Sequence, residues 1–161
     1  MNRIANCLAA LTVLFLAACR DSVDNPRSAA VSGARPVHEH LPPHGGTAIV
    51  LGSEAFHLEL VREKETGVLK MFVLDGHMEK FVRISQETIE VEIQADGFLT
   101  DTVFLAVATA ATGETVGDTS LYETSADWVK TLDRFRGVIS KIRIRENSFT
   151  NTVFSFPEGN E

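Results

Sequence analysis

The amino-acid sequence predicts an all-β domain: a single antiparallel β-sandwich of seven to eight strands with one short helix. Three observations predict it. Apolar residues recur with a period of two, as in Ile89, Val91 and Ile93 set between Glu90, Glu92 and Gln94, which is the pattern of a strand with one wet face. Turn dipeptides punctuate the chain every ten residues or so, at Gly52-Ser53, Thr66-Gly67, Asp75-Gly76, Asp96-Gly97 and Thr112-Gly113, roughly the spacing of sandwich strands. Helical periodicity is confined to one short stretch near position 130.

The strands follow in order. Thr47 to Leu51 is a short first strand, and Phe56, Leu58 and Leu60 alternate with His57, Glu59 and Val61 in the next. Val68 to Leu74 is apolar in both phases, as a central strand covered on two faces should be. Phe81 to Ile84 comes next, then Ile89 to Ile93, then the apolar run Val103 to Val107. Ser125 to Phe135 is the helix: Ser125 can cap it, Asp127 complements its dipole, and Trp128, Leu132 and Phe135 share a face. Ile142 and Ile144 then alternate with Lys141, Arg143 and Arg145, and Val153 to Phe156 closes the domain. The expected arrangement is Ig-like in general architecture, with the helix over one end.

The N-terminus reads differently. Fourteen of the first 18 residues are apolar and Arg3 is their only charge, which describes an export signal. Its eleven-residue run Leu8 to Ala18 falls short of the roughly 18 residues a membrane-spanning helix needs. The run ends in Leu16-Ala17-Ala18-Cys19, which resembles the lipobox of bacterial lipoproteins. That resemblance implies a signal peptide over 1–18 and lipidation of Cys19, with further acylation after cleavage. Because residue 20 is Arg rather than Asp, it also implies the outer membrane, facing the periplasm, rather than retention at the inner one. Two or more acyl chains, at about 0.8 kcal/mol per buried methylene, make the lipid bilayer a stable partner. Residues up to Pro43 are polar and carry Pro26, Pro36, Pro42 and Pro43, so 19–43 reads as a lipidated tether with a reach of about 27 Å. The folded domain is expected over 44–161.

Charge and cysteine content narrow the function. The chain of 161 residues has 22 acidic and 15 basic side chains, net −7, and −8 once Arg3 is removed. A surface of that sign repels a polyanion, so nucleic acid is not an expected partner. Cys7 leaves with the signal and Cys19 takes lipid, which leaves the domain without a thiol. Disulfides, thiolate metal sites, blue-copper centres and cysteine nucleophiles are thereby excluded. Met71 and Met78 form no Met-x-x-Met pair for Cu⁺. Gly-x-Ser-x-Gly, His-Glu-x-x-His, phosphate-binding glycine loops and the EF-hand pattern are absent from the sequence, so the expectation is not an enzyme. The basic cluster Arg134, Arg136, Lys141, Arg143 and Arg145 reads as a solvated face.

The histidines are the remaining signal. All five lie between positions 38 and 77. His38, His40 and His44 belong to Val37-His38-Glu39-His40-Leu41-Pro42-Pro43-His44-Gly45-Gly46, where a bendable chain could wrap Zn²⁺ or Cu²⁺ with neutral imidazoles. His57 shares the polar phase of its strand with Glu59, and His77 follows the Asp75-Gly76 turn. His44-Gly45-Gly46, Phe56-His57-Leu58-Glu59-Leu60-Val61, Val73-Leu74-Asp75-Gly76-His77 and Phe81-Val82-Arg83-Ile84 resemble a module of uncharacterised small envelope lipoproteins. A similar pattern occurs near the N-terminus of some periplasmic adaptors of heavy-metal efflux pumps. The resemblance covers Pro43 to Ile84 and implies metal handling with His44, His57 and His77 as ligands, in contact with an efflux-system or other envelope protein. The chain lacks the coiled-coil hairpin, the lipoyl-like half and the length of an adaptor, so it reads as a stand-alone module. The alternative expectation is a structural or protein-interaction domain of the cell envelope that binds no metal.

Overall fold

The computed structural model describes residues 41–160. The signal, Cys19, most of the tether, His38 and His40 lie outside the described residues. Eight strands follow one another: β1 (Thr47–Leu51), β2 (Phe56–Glu63), β3 (Val68–Asp75), β4 (Thr88–Ala95), β5 (Phe98–Ala106), β6 (Leu121–Ser125), β7 (Phe135–Ile144) and β8 (Asn147–Phe156). One helix, α1 (Asp127–Thr131), sits between β6 and β7. All neighbouring strands are antiparallel, in the order β1-β2-β3-β6-β5-β4-β7-β8. Within it, β7-β4-β5-β6 has the spatial order of a Greek key.

The all-antiparallel β class, the eight strands and the single short helix are therefore as the sequence predicts. What the two layers of a sandwich share is one continuous sheet, which curls until β1 and the end of β8 meet. The turn after β8 makes that junction. Thr47 Oγ1 donates to Pro157 O (3.0 Å), Val50 N donates to Asn160 Oδ1 (2.7 Å), and Asn160 Nδ2 donates back to Val50 O (3.2 Å). The Asn160 amide thus stands where a partner strand's peptide would.

The period-two residues form the interior. Ile49, Leu51, Leu58, Leu60, Leu69, Met71, Val73, Ile89, Ile93, Tyr122 and Ile139 are fully buried, because alternate side chains of each strand point to one face. Arg62 follows the inward phase of Leu58 and Leu60 at the mouth of the fold. There its guanidinium bonds Leu132 O and Asp133 and lies 5.4 Å from the Phe156 ring centre. The β4–β7 ladder stops at Val91 and Ile139, and the side chain of Gln86 continues it. Its Nε2 donates to Lys141 O (3.1 Å) and its Oε1 accepts from Arg143 N (3.0 Å).

Several elements differ from the sequence expectation. The helix spans five residues rather than eleven. Ser125 ends β6, Ala126 takes the N-cap position without a side-chain cap, and Phe135 begins β7. The spacing of Trp128, Leu132 and Phe135 suits a helix, but Phe135 pairs with Phe156 across β7 and β8, their rings stacked at 4.9 Å. Strand β6 has no counterpart among the strands the sequence predicts, and β5 starts at Phe98, ahead of its apolar run. Phe81–Ile84 is held by two isolated bridges, Leu74 to Phe81 and Ile84 to Thr119, rather than forming a strand of the sheet.

Candidate functional site

Glu59 is the centre of the unusual chemistry. It projects from the outer surface of β2, on the side opposite Leu58 and Leu60, yet is fully buried, as is His57 two residues earlier on the same face. Register explains the cover. Glu59 stands between Ala48 of β1 and Phe72 of β3, and His57 between Val50 and Leu74, with Phe81 bridged to Leu74. The outer face of β1-β2-β3 thus carries a small second core.

A buried carboxylate must be satisfied by donors, and the His44-Gly45-Gly46 turn supplies three. His44 N donates to Glu59 Oε1 (2.7 Å), Gly46 N to the same oxygen (2.9 Å), and His44 Nδ1 lies 2.7 Å from Oε2. With Glu59 as a carboxylate, which only accepts, the tautomer assigned to His44 has Nδ1 as donor, and Nε2 is the ring nitrogen turned away from Glu59. The imidazole is 40% exposed. It stacks on Phe72 (ring centres 4.1 Å apart, 15° between planes) and lies 5.8 Å from Phe81.

Both glycines are needed for this geometry. Gly45 adopts φ +69°, a left-handed conformation that costs other residues energy. Gly46 has no room for a side chain: a Cβ there would lie 2.6 Å from Leu60 O and 2.9 Å from Glu59 Cγ. The His-Gly-Gly motif is thus a turn built to close over a carboxylate.

The other histidines are placed differently. His57 Nδ1 is 3.4 Å from Asp75 O. His77 is exposed in the turn after β3. That turn is organised by Asp75, whose carboxyl burial pushes upward, while the backbone N–H groups of Glu79, Lys80 and His77 outweigh burial and hold it below the ordinary range. Among the described residues, no group of three or more His, Cys, Asp or Glu side chains is placed to hold a metal ion. The structure therefore joins His44 to Glu59, sets His57 beside Glu59 on one strand face, and leaves His77 on the exposed turn. In the sequence Glu59 has no more than a share in a strand pattern. Its signal was the pairing of a glycine turn with a strand acid, two features far apart in the chain. No family model, curated protein or solved structure matches this chain.

Proposed function

We propose that the chain is an envelope lipoprotein, anchored through acylated Cys19 in the outer membrane and facing the periplasm. Its domain serves as a non-catalytic binding module for a divalent transition metal, Zn²⁺ or Cu²⁺, in metal homeostasis or efflux. The observation that carries the metal reading is the His44–Glu59 pair at 2.7 Å, with the carboxylate fully buried. Histidines that ligate metals donate their other ring N–H to a carboxylate, which fixes the tautomer and raises ligand basicity. Here Nδ1 is so held, and Nε2 is the donor atom left for an ion. One imidazole does not make a site, and among the described residues no group of three completes one, so in this reading the further ligands are His38 and His40, six and four residues before His44 in the sequence. The Leu16-Ala17-Ala18-Cys19 sequence supports the anchor.

Calorimetric titration of the full-length protein with Zn²⁺ and Cu²⁺ at neutral pH tests this. Saturable binding is expected, abolished by His44→Ala and weakened about 10- to 100-fold by Glu59→Gln, as for other carboxylates behind a ligating histidine. A titration without heat, or one that His44→Ala leaves unchanged, overturns the metal reading. Substituting His38 and His40 together measures what the upstream segment adds.

A further inference from the structure

Among the described residues, part of β5 is paired on its β4 side only, and what surrounds the gap on the other side indicates what fills it. Strands β5 and β6 pair only at Leu105–Glu123 and Ala106–Tyr122, then diverge. Ala106 N donates to Glu87 O on the β4 side, whereas Val107 N donates to Leu121 O on the β6 side. Peptide groups alternate sides along an antiparallel strand. Leu99, Asp101 and Val103 therefore turn their N–H and C=O toward β6, where no strand pairs with them among the described residues. Trp128 of α1 reaches Phe98 (ring centres 6.3 Å) at the wide end of the fork. On its outer side runs a groove of about 450 Å³, lined by Val68, Val103, Leu105, Glu123 and Thr124 among others.

Two features show that this edge is not simply solvated. Three of its four outward side chains are apolar and open, Leu99 at 66%, Val103 at 44% and Leu105 at 58% exposure, with Asp101 the fourth, although an open apolar edge invites mispairing and is ordinarily blunted more fully. Second, the charged residues beside it on β4 and within β5 carry one sign, and the carboxylate on its β6 side, Glu123, is answered by Lys70 of β3 (3.9 Å). Glu92 stands directly opposite Asp101 and Glu90 opposite Val103 on β4, with Glu123 opposite Leu105 on β6. Like charges facing across strands are destabilising, and Glu90, Glu92 and Asp101 form no ion pair among the described residues. A second copy of this acidic edge would add to the repulsion.

We propose that the β5 edge from Leu99 to Val103 docks an extended, basic segment of a partner protein by strand addition. Backbone bonds to Leu99, Asp101 and Val103 supply the pairing. On the outer face that carries Asp101, Val103 and Leu105, lysines or arginines of the incoming strand answer Asp101, Glu90 and Glu92 while their methylene stems cover Val103 and Leu105, and its alternate, apolar side chains turn to the other face. This does not depend on metal binding.

The probe is a fluorescent heptapeptide alternating lysine and valine, titrated into the full-length protein by anisotropy against a buffer-matched blank. Two control peptides leave the protein untouched: a glutamate–valine counterpart, and a lysine–valine peptide N-methylated at alternate amides. The lysine–valine peptide is expected to bind, each control at least tenfold more weakly. Val103→Pro, which removes a backbone donor on the vacant side and none on the β4 side, should weaken binding at least tenfold, and Asp101→Lys should narrow or reverse the preference for lysine over glutamate. No binding, equal binding of the N-methylated peptide, or indifference to Asp101→Lys overturns the proposal. So does a concentration-dependent dimer that Val103→Pro dissolves, which would assign the edge to a second copy.

Discussion

Replacing Gly46 with alanine perturbs the candidate site without touching any polar group. The added Cβ would fall 2.6 Å from Leu60 O, 2.8 Å from Val61 Cγ2 and 2.9 Å from Glu59 Cγ. Leu60 O cannot retreat, because Leu60 is paired with Thr47 in the β1–β2 ladder and with Met71 in β3. The turn must therefore lift, and the 2.9 Å bond from Gly46 N to Glu59 Oε1 lengthens with it. Overpacking costs about 1–3 kcal/mol. Weakening a hydrogen bond to a charged group costs up to about 1.5–3 kcal/mol. A loss of about 3 kcal/mol follows, worth on the order of 10 °C in melting temperature for a domain of this size. Gly45→Ala is the control, since a Cβ there meets nothing within 4 Å and only φ +69° opposes it, a cost of about 1–2 kcal/mol. Urea unfolding of both variants, followed by tryptophan fluorescence, gives the two values. The reasoning fails if Gly46→Ala is within about 0.5 kcal/mol of wild type, the ordinary range for surface substitutions, or if Gly45→Ala is the more damaging change.

Two other perturbations test the frame around the site. Gly137 lies opposite Phe154 in the β7–β8 ladder, and a Cβ there would come within 2.2 Å of Phe154 Cζ. Gly137→Ala should cost about 2–3 kcal/mol by overpacking, and adding Phe154→Leu should recover part of that in a double-mutant cycle of urea midpoints. For Glu114, burial raises the carboxyl pKa. Bonds from Ser120 Oγ and N and from Thr112, with the nearby charge of Arg83, outweigh burial and hold it below its ordinary 4.5. A carboxyl depressed on folding stabilises fully above its unfolded pKa and loses that contribution as pH falls through the folded value. The deficit of Glu114→Gln should therefore be largest at neutral pH and shrink below pH 4.5. A deficit constant from pH 7 to 3 would show that lost packing, not charge, is responsible.

The sequence made the fold's repetitive part legible and its exceptions hard to see, for physical reasons. Alternation at Ile89, Val91 and Ile93 maps directly onto burial, because β4 has one covered face and one wet face. Strand β6 offers only Leu121 and Tyr122 as apolar residues. Its place between β3 and β5 comes from partners distant in sequence, and Tyr122 is anchored by its hydroxyl on Gln86 O. The helix is shorter than the spacing of Trp128, Leu132 and Phe135 predicts because spacing alone cannot tell a helical face from a turn of helix followed by a strand.

The same limit hid Glu59. Alternation assigns His57 and Glu59 to the wet face of β2, and a wet face would leave both exposed. The contrary clue lay one strand away, where Phe72 and Leu74 carry apolar character in the outward phase of β3. Their register opposite Glu59 and His57 means that an aromatic cover built for β3 also closes over its neighbour. A strand buried on both faces excludes water from its polar residues, and the carboxylate then requires donors from elsewhere. The nearest chain able to provide them without side-chain bulk is the Gly45-Gly46 turn, which brings His44 with it. Burial of Glu59, closure of the turn and the fixed orientation of His44 are therefore one structural event, and a change at any of the three should appear in the other two.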